Sequence, residues 1–334
     1  MQYNLLGKTG MNVSRIGFGG IPIQHVGEDE VNKIISKCIE TGINFFDTAR
    51  GYTVSEELLG KAFQGKREKI YIATKTMVRD RDGMMSEVEI SLKNLKTDYI
   101  DLYQLHNVGS SEEYDKAMNK GGAYEALLKL QSEGVVKHIG ITSHKIPIME
   151  KALETDAFAT IQFPFSVVER QVEELFKKAY EKNMGTIAMK PMAGGALRDG
   201  REALKYILEN KHLSVAIPGM DSLAQVLENS GAADGIPLTN EEREAIVKVA
   251  KELGNTFCRR CGYCMPCPEG IDIPTMFIME GYYTRYDLKD WAETRYKNFN
   301  IKADACKKCG ICESKCPYEL PIRDMLVKVT DVFK

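Results

Sequence analysis

The chain has 334 residues, with 43% hydrophobic and 28% charged residues and a formal net charge of −2. That is room for one large and one small globular domain, and the charge gives no ground for binding nucleic acid or an anionic membrane. No apolar run approaches a membrane span, and the opening MQYNLLGKTG has neither the basic nor the apolar region of a signal peptide.

Residues 1–14 read as a small hairpin turning at Lys8-Thr9-Gly10, placed to cap the floor of a barrel. From residue 15 to about 230, short apolar runs alternate with amphipathic helical patterns. The expected strands are Arg15–Gly19, Asn44–Asp47, Ile70–Lys75, Ile100–Leu105, Val136–Thr142, Thr160–Phe163, Thr186–Met189 and Val215–Ile217. Helical patterns lie near 28–41, 55–64, 84–95, 123–133, 146–154, 171–183, 201–210 and 222–229. Eight such units predict an α/β fold, a parallel (β/α)8 TIM barrel. A doubly wound sheet normally carries G-x-G-x-x-G after its first strand, whereas Gly17-Phe18-Gly19-Gly20-Ile21-Pro22 stands here. The charged segment 107–122 reads as a solvated surface loop, and Cys38, among Val31, Ile34, Ile35 and Ile39, as a small core residue. A helix Asn240–Leu253, with Thr239 and Glu242 spaced as a capping box, leads out of the barrel. The boundary falls near Gly254, giving a barrel over 1–254 and a helix-rich ferredoxin-like domain over 255–334. No internal repeat is visible.

Eight of the nine cysteines fall in two runs in that last segment. The first is Cys258-x2-Cys261-x2-Cys264-x2-Cys267 followed by Pro268; the second is Cys306-x2-Cys309-x2-Cys312-x3-Cys316 followed by Pro317. Thiolates at this spacing reach neighbouring corners of one cubane, and the fourth Cys-Pro commonly ligates the other cluster. Zinc is the rival for clustered cysteines, but four thiolates per run ending in Cys-Pro is not a zinc-ribbon layout. The pattern predicts two [4Fe–4S] clusters, one on Cys258, Cys261, Cys264 and Cys316, the other on Cys306, Cys309, Cys312 and Cys267. The first run is one residue short of the ferredoxin spacing before its last cysteine. Helical stretches are expected around Ile273–Tyr283 and Asp290–Phe299 in the 38 residues between the runs, with Trp291 as core of the small domain. Cysteines of this kind need a reducing compartment, which makes the cytoplasm the expected location.

In a (β/α)8 barrel, active sites sit at the C-terminal ends of the strands. Asp47 ends the second strand, Tyr52 follows in its loop, Lys75 ends the third and His106 follows the fourth. Taken singly, a strand-end Asp often caps the next helix and a strand-end Lys is usually solvated. Together the four make coherent chemistry. A Tyr hydroxyl titrates near ~10; a neighbouring ammonium is expected to lower that value, a carboxylate to hold the ammonium, and an imidazole to orient a carbonyl.

Asp47-Thr48-Ala49-x-x-Tyr52, Ala73-Thr74-Lys75 and Leu105-His106 resemble the Asp–Tyr–Lys–His tetrad of the aldo-keto reductases, in order and spacing, over residues 3–230. The resemblance implies NAD(P)H bound without a Rossmann domain. Gly20 lies in the turn after the first strand. Thr142 and Ser143, in Gly140-Ile141-Thr142-Ser143, and Gln162 would hold the nicotinamide carboxamide. Lys190-Pro191-Met192-Ala193-Gly194-Gly195 would form a belt over the pyrophosphate, with Met189 where the family often has an aromatic ring. Ile217-Pro218-Gly219, Gln225, Glu228 and Asn229 would bind the pyrophosphate end and the adenine. Gly219 and Gln225 stand where basic residues usually grip an NADP 2′-phosphate, which points toward NAD or dual use. The C-terminal cysteines resemble the ferredoxin-fused branch of the family, in which the cluster domain replaces the usual lid over the substrate.

The implied activity is reduction of a small-molecule carbonyl to an alcohol, or the reverse, with clusters that exchange electrons with an external partner protein. Two alternatives stand beside it: the same enzyme with structural clusters, and an electron-transfer module with an idle tetrad.

Overall fold

The computed structural model describes residues 1–197, 200–254, 256–260 and 262–334. The expected ligand Cys261 lies outside the described residues. A hairpin of β1 (Tyr3–Leu5) and β2 (Asn12–Ser14) precedes eight parallel strands: β3 (Phe18–Gly19), β4 (Phe45–Asp47), β5 (Tyr71–Thr76), β6 (Ile100–Leu105), β7 (Val136–Thr142), β8 (Thr160–Pro164), β9 (Gly185–Met189) and β10 (Val215–Ile217). Each strand pairs with its neighbour in chain order. Parallel bridges Ile16–Ala216 and Gly19–Gly219 join the first strand to the last, so the sheet closes as the expected barrel.

The interior of the barrel is filled at its N-terminal end by Phe45, Ala73, Leu102, Ile187 and Val215, onto which the hairpin packs Leu6, Met11 and Val13. The hairpin is therefore the floor, leaving the opposite, C-terminal end free for polar groups. Outside the sheet lie α1 (Glu28–Glu40), α2 (Ser55–Ala62), α3 (Arg81–Leu95), α4 (Ser111–Met118), α5 (Ala123–Ser132), α6 (Ile146–Leu153), α7 (Glu173–Glu181), α8 (Gly200–Leu208) and α9 (Leu223–Gly231). In α1 the apolar residues Val31, Ile34, Ile35 and Cys38 recur at helical spacing and are all buried. Each such aliphatic side chain contributes about 1.5–3 kcal/mol on burial.

The segment expected to be a solvated loop contains α4. Ser110 accepts from the Glu113 amide, and Tyr114 and Ala117, three residues apart, turn one face into the core. The dense charges of this helix sit on its outer side and mask the short apolar stripe in sequence.

Beyond the barrel come α10 (Asn240–Gly254), α11 (Ile273–Thr284), α12 (Lys289–Lys297), α13 (Ile311–Ser314) and α14 (Ile322–Val332). The capping box at α10 forms in both directions, Thr239 N–H to Glu242 and Glu242 N–H to Thr239 Oγ1. The small domain has its own core of Ile271, Ile273, Met276, Tyr296, Leu320, Ile322, Leu326 and Val329. Trp291 belongs to that domain, edge-on to Tyr282 at 4.8 Å and covered by Arg295 at 3.5 Å.

The two cysteine runs are conformational repeats, which the sequence reading missed. Arg260 and Lys308 take the same left-handed backbone, as do Gly262 and Gly310. The amides of Arg260 and Lys308 both donate to the sulfur two residues earlier, Cys258 and Cys306. Downstream, Cys267 and Cys316 each open a turn closed by the amide of Gly270 or Glu319, again both left-handed. Helices α11 and α14 then begin at equivalent isoleucines. Besides the cysteines and the following proline, the two runs share a basic pair, Arg259-Arg260 and Lys307-Lys308, and a glycine, Gly262 and Gly310; the one-residue difference before the last cysteine and the 38 residues between the runs hide the correspondence.

Candidate active site and cluster sites

The strand register carries Asp47, Lys75 and His106 to one end of the barrel. The Lys75 ammonium donates to Asp47 Oδ1 at 2.5 Å and to the Thr48 carbonyl at 2.8 Å, and Gln104 Nε2 donates to Asp47 Oδ2 at 3.2 Å. Asp47 and Lys75 are almost wholly buried. Burial pushes the Asp47 carboxyl up and the Lys75 ammonium down, each against the attraction of the other. The Tyr52 ring lies 5.1 Å from Lys75 Nζ and meets the His106 ring edge-on at 6.0 Å and 88°. The His106 carbonyl accepts from Arg79 Nη2 at 2.7 Å, while its Nδ1 is buried without a partner among the described residues.

One expectation about this constellation is corrected. Tyr52 is held well above the ordinary phenol range, first by burial and then by Asp47, Tyr282 and Tyr286. The Lys75 charge is largely committed to Asp47 and to a backbone carbonyl, so it does not outweigh that burial. The consequence is a phenol that keeps its proton. His106 is held well below the usual imidazole range by burial and by Lys75, Arg79 and Lys190 and is neutral.

A cavity of about 160 Å³ opens above this group, lined by Asp47 and Tyr52. Ten residues expected at the cofactor line it: Gly20, Gln162, Met189, Lys190, Pro191, Gly194, Gly195, Ile217, Gly219 and Gln225. Thr142, Ser143, Glu228 and Asn229 do not. Thr142 Oγ1 accepts from the Asn107 amide, Ser143 Oγ donates to the Val108 carbonyl, Glu228 accepts from the Gly200 amide, and Asn229 is buried. Gln225 Oε1 is engaged by the Asp221 amide at 2.7 Å.

The cavity offers groups that fit the nicotinamide end of such a cofactor. Gln162 Oε1 is buried with no partner among the described residues, an acceptor for a carboxamide N–H. A Cβ on Gly219 would come within 2.6 Å of Pro22, and one on Gly19 within 2.9 Å of the Ile217 carbonyl, so both glycines are required by the close packing of the first strand against the last at the cavity wall.

Three further wall residues come from the small domain: Tyr282, Arg285 and Tyr286. Arg285 Nε donates to the Gly194 carbonyl at 3.1 Å, fastening the α11 end to the glycine belt. No local pattern marks these residues; the only hint is the concentration of Tyr and Arg in Tyr282-Tyr283-Thr284-Arg285-Tyr286.

The remaining cysteines ring two small cavities. One is lined by Cys267, Cys306, Cys309 and Cys312, the other by Cys258, Cys264 and Cys316. These are the crossed sets expected from spacing, apart from Cys261. Cys309 is exposed, whereas Cys258 also lines a cavity against the barrel. The amide-to-sulfur bonds of Arg260 and Lys308 suit bridged thiolates, whose charge they offset. Among the described residues no helix is long and apolar enough to cross a membrane.

Residues 15–202, more than half of the chain, match the aldo/keto reductase family, and residues 257–321 match a 4Fe-4S dicluster domain. Similar proteins include an uncharacterized oxidoreductase, YqkF, of Bacillus subtilis, 27% identical over 75% of this chain and 97% of the relative. L-galactose dehydrogenase of Arabidopsis thaliana is 28% identical over 75% of this chain and 93% of its own length. Among solved structures, the holo form of aldo-keto reductase AKR11C1 from Bacillus halodurans is 29% identical with a TM-score of 0.66, covering 75% of this chain and 96% of that one. A Klebsiella pneumoniae aldo-keto reductase in complex with NADPH, 24% identical with a TM-score of 0.64 over 75% of this chain and 95% of that one, shares the fold. The chain is an oxidoreductase of the aldo/keto reductase family that carries a 4Fe-4S dicluster domain after its barrel.

Proposed function

We propose that the barrel, residues 1–254, reduces a small-molecule carbonyl to an alcohol, or runs the reverse, with NAD(P)H held in the groove between Gly20, Gln162, Gly219 and the glycine belt. The observation that carries this reading is the stack of Asp47, Lys75 and Tyr52 beneath an open cavity. Bound there, the nicotinamide supplies a hydride. Tyr52, kept protonated by burial, gives its proton to the carbonyl oxygen. Lys75 lies against the ring as the phenolate forms and stabilises it, and Asp47 holds Lys75 in place. His106, neutral and edge-on to Tyr52, orients the carbonyl.

Residues 255–334 would carry two [4Fe–4S] clusters on the crossed cysteine sets, exchanging single electrons with an external partner protein. The exposure of Cys309 supports that path, since the outer cluster would face solvent and the inner one the barrel. A structural role also has support: the same domain supplies Tyr282, Arg285 and Tyr286 to the cavity wall. Anaerobically purified protein, screened against carbonyls and alcohols with both nicotinamide cofactors, tests the reading. Turnover with any of them is the expected result, and its absence across the screen would overturn the enzymatic reading.

A further inference from the structure

Lys190, the first residue after β9, has a left-handed backbone with φ 53° and a half-buried side chain. Its charged neighbours include the guanidinium groups of Arg260 and Arg285. Both are already engaged: Arg260 pairs with Glu169, and Arg285 pairs with Glu280 at 3.2 Å and donates to the Gly194 carbonyl. Lys190 Nζ has no hydrogen bond or ion pair among the described residues, only the Tyr282 ring 5.6 Å away. The Glu169 carboxylate also acts on Lys190 but is already paired to Arg260, so holding a strongly hydrated ammonium here beside two cations costs free energy unless a further anion joins it.

Its position says which anion. Lys190 lines the barrel mouth with Asp47 and Tyr52, and also a cavity of about 210 Å³ that reaches Phe257, Cys258 and Arg260. Its charge acts on His106. A molecule whose carbonyl oxygen meets Tyr52 and His106 thus has a cation within reach of its other end.

We propose that Lys190 is the receptor for a carboxylate borne by the carbonyl substrate, so that the enzyme selects oxo-acids and carboxylated aldehydes over neutral carbonyls. This rests on the carbonyl-oxidoreductase reading above. The cofactor pyrophosphate offers the same anionic oxygens, because Lys190 also opens the glycine belt, and the test separates the two sources.

The test uses anaerobic holoprotein and compares para-carboxybenzaldehyde with benzaldehyde, with calorimetric titration of benzoate and of NADPH alongside. Wild type should favour the carboxylated aldehyde in kcat/KM by about tenfold or more, the effect of one charged contact. Lys190→Met should abolish that preference and benzoate binding, with NADPH affinity retained; Lys190→Arg should keep all three. Equal losses on both aldehydes together with weakened NADPH binding would assign Lys190 to the pyrophosphate and overturn the proposal. So would an unchanged preference in Lys190→Met. If neither aldehyde turns over, the reductase reading fails for them, yet benzoate binding lost in Lys190→Met still supports the receptor. Wild type that binds no benzoate overturns it.

Discussion

Arg260 of the cluster domain donates to both carboxylate oxygens of Glu169 on the barrel loop after β8, and the pair is buried. The Arg260 amide also donates to Cys258 Sγ. A single residue therefore ties the first cysteine loop to the barrel. The charge of Glu169 holds the Arg260 guanidinium above its usual range despite the burial that opposes it.

Removing one member of a buried ion pair leaves the other uncompensated, at a cost of about 3–5 kcal/mol. Glu169→Ala should destabilise the holoprotein by that order in anaerobic denaturant titration. Glu169→Leu combined with Arg260→Met should cost less than the two single changes added together. Strict additivity would show that the pair does not couple the domains.

Cofactor choice depends on the segment after β10. Residues 219–229 contain no Lys or Arg, and Gln225 is already occupied by the Asp221 amide. NADPH should therefore bind no more than about tenfold better than NADH, about 1.4 kcal/mol. Fluorescence titration can follow this through Trp291, which rests on the cavity residue Tyr282. A preference of about a hundredfold would mean that a cation from elsewhere grips the 2′-phosphate.

What was legible in the sequence depended on how local its cause was. Strands β6, β7 and β10 have the bounds read from their apolar runs, because nearly every residue in them is buried. The Asp47, Lys75 and His106 positions came from strand ends, which a barrel places on one rim by construction. Helix α4 was hidden because only Tyr114 and Ala117 of its eight residues are buried. The Tyr282, Arg285 and Tyr286 wall was hidden for a different reason: it exists only because α11 docks on a loop some ninety residues earlier in the chain. The Tyr52 expectation failed in direction because a sequence shows that charges are near one another but not that burial outweighs them.

The cysteine sets predict about eight irons per chain as two [4Fe–4S] clusters. Cys316→Ser should impair the cluster built with Cys258 and Cys264, its neighbours around one cavity, and spare the one on Cys306, Cys309 and Cys312. Iron analysis with EPR of the reduced protein checks this. About four irons in fully reconstituted wild type would contradict the two-cluster assignment.

The pH dependence should separate the two classes of aldehyde. Burial and the charges of Arg260 and Arg285, opposed by Glu169, lower the Lys190 ammonium to about 7, so it is charged below that pH and neutral above. Preference for the carboxylated aldehyde should fall as pH rises through about 7. Benzaldehyde reduction should stay level across the same interval, since Tyr52 keeps its proton and His106 is already neutral. Parallel profiles for the two aldehydes would contradict this assignment of charge.

In the proposed reaction Tyr52, its ring facing the Lys75 ammonium, delivers the proton. Carbonyl reduction by Tyr52→Phe, measured beside its NAD(P)H dissociation constant, tests it most directly. A loss of about 10²–10⁴ in kcat with cofactor affinity nearly unchanged is expected. Turnover at the wild-type rate in that variant would contradict it.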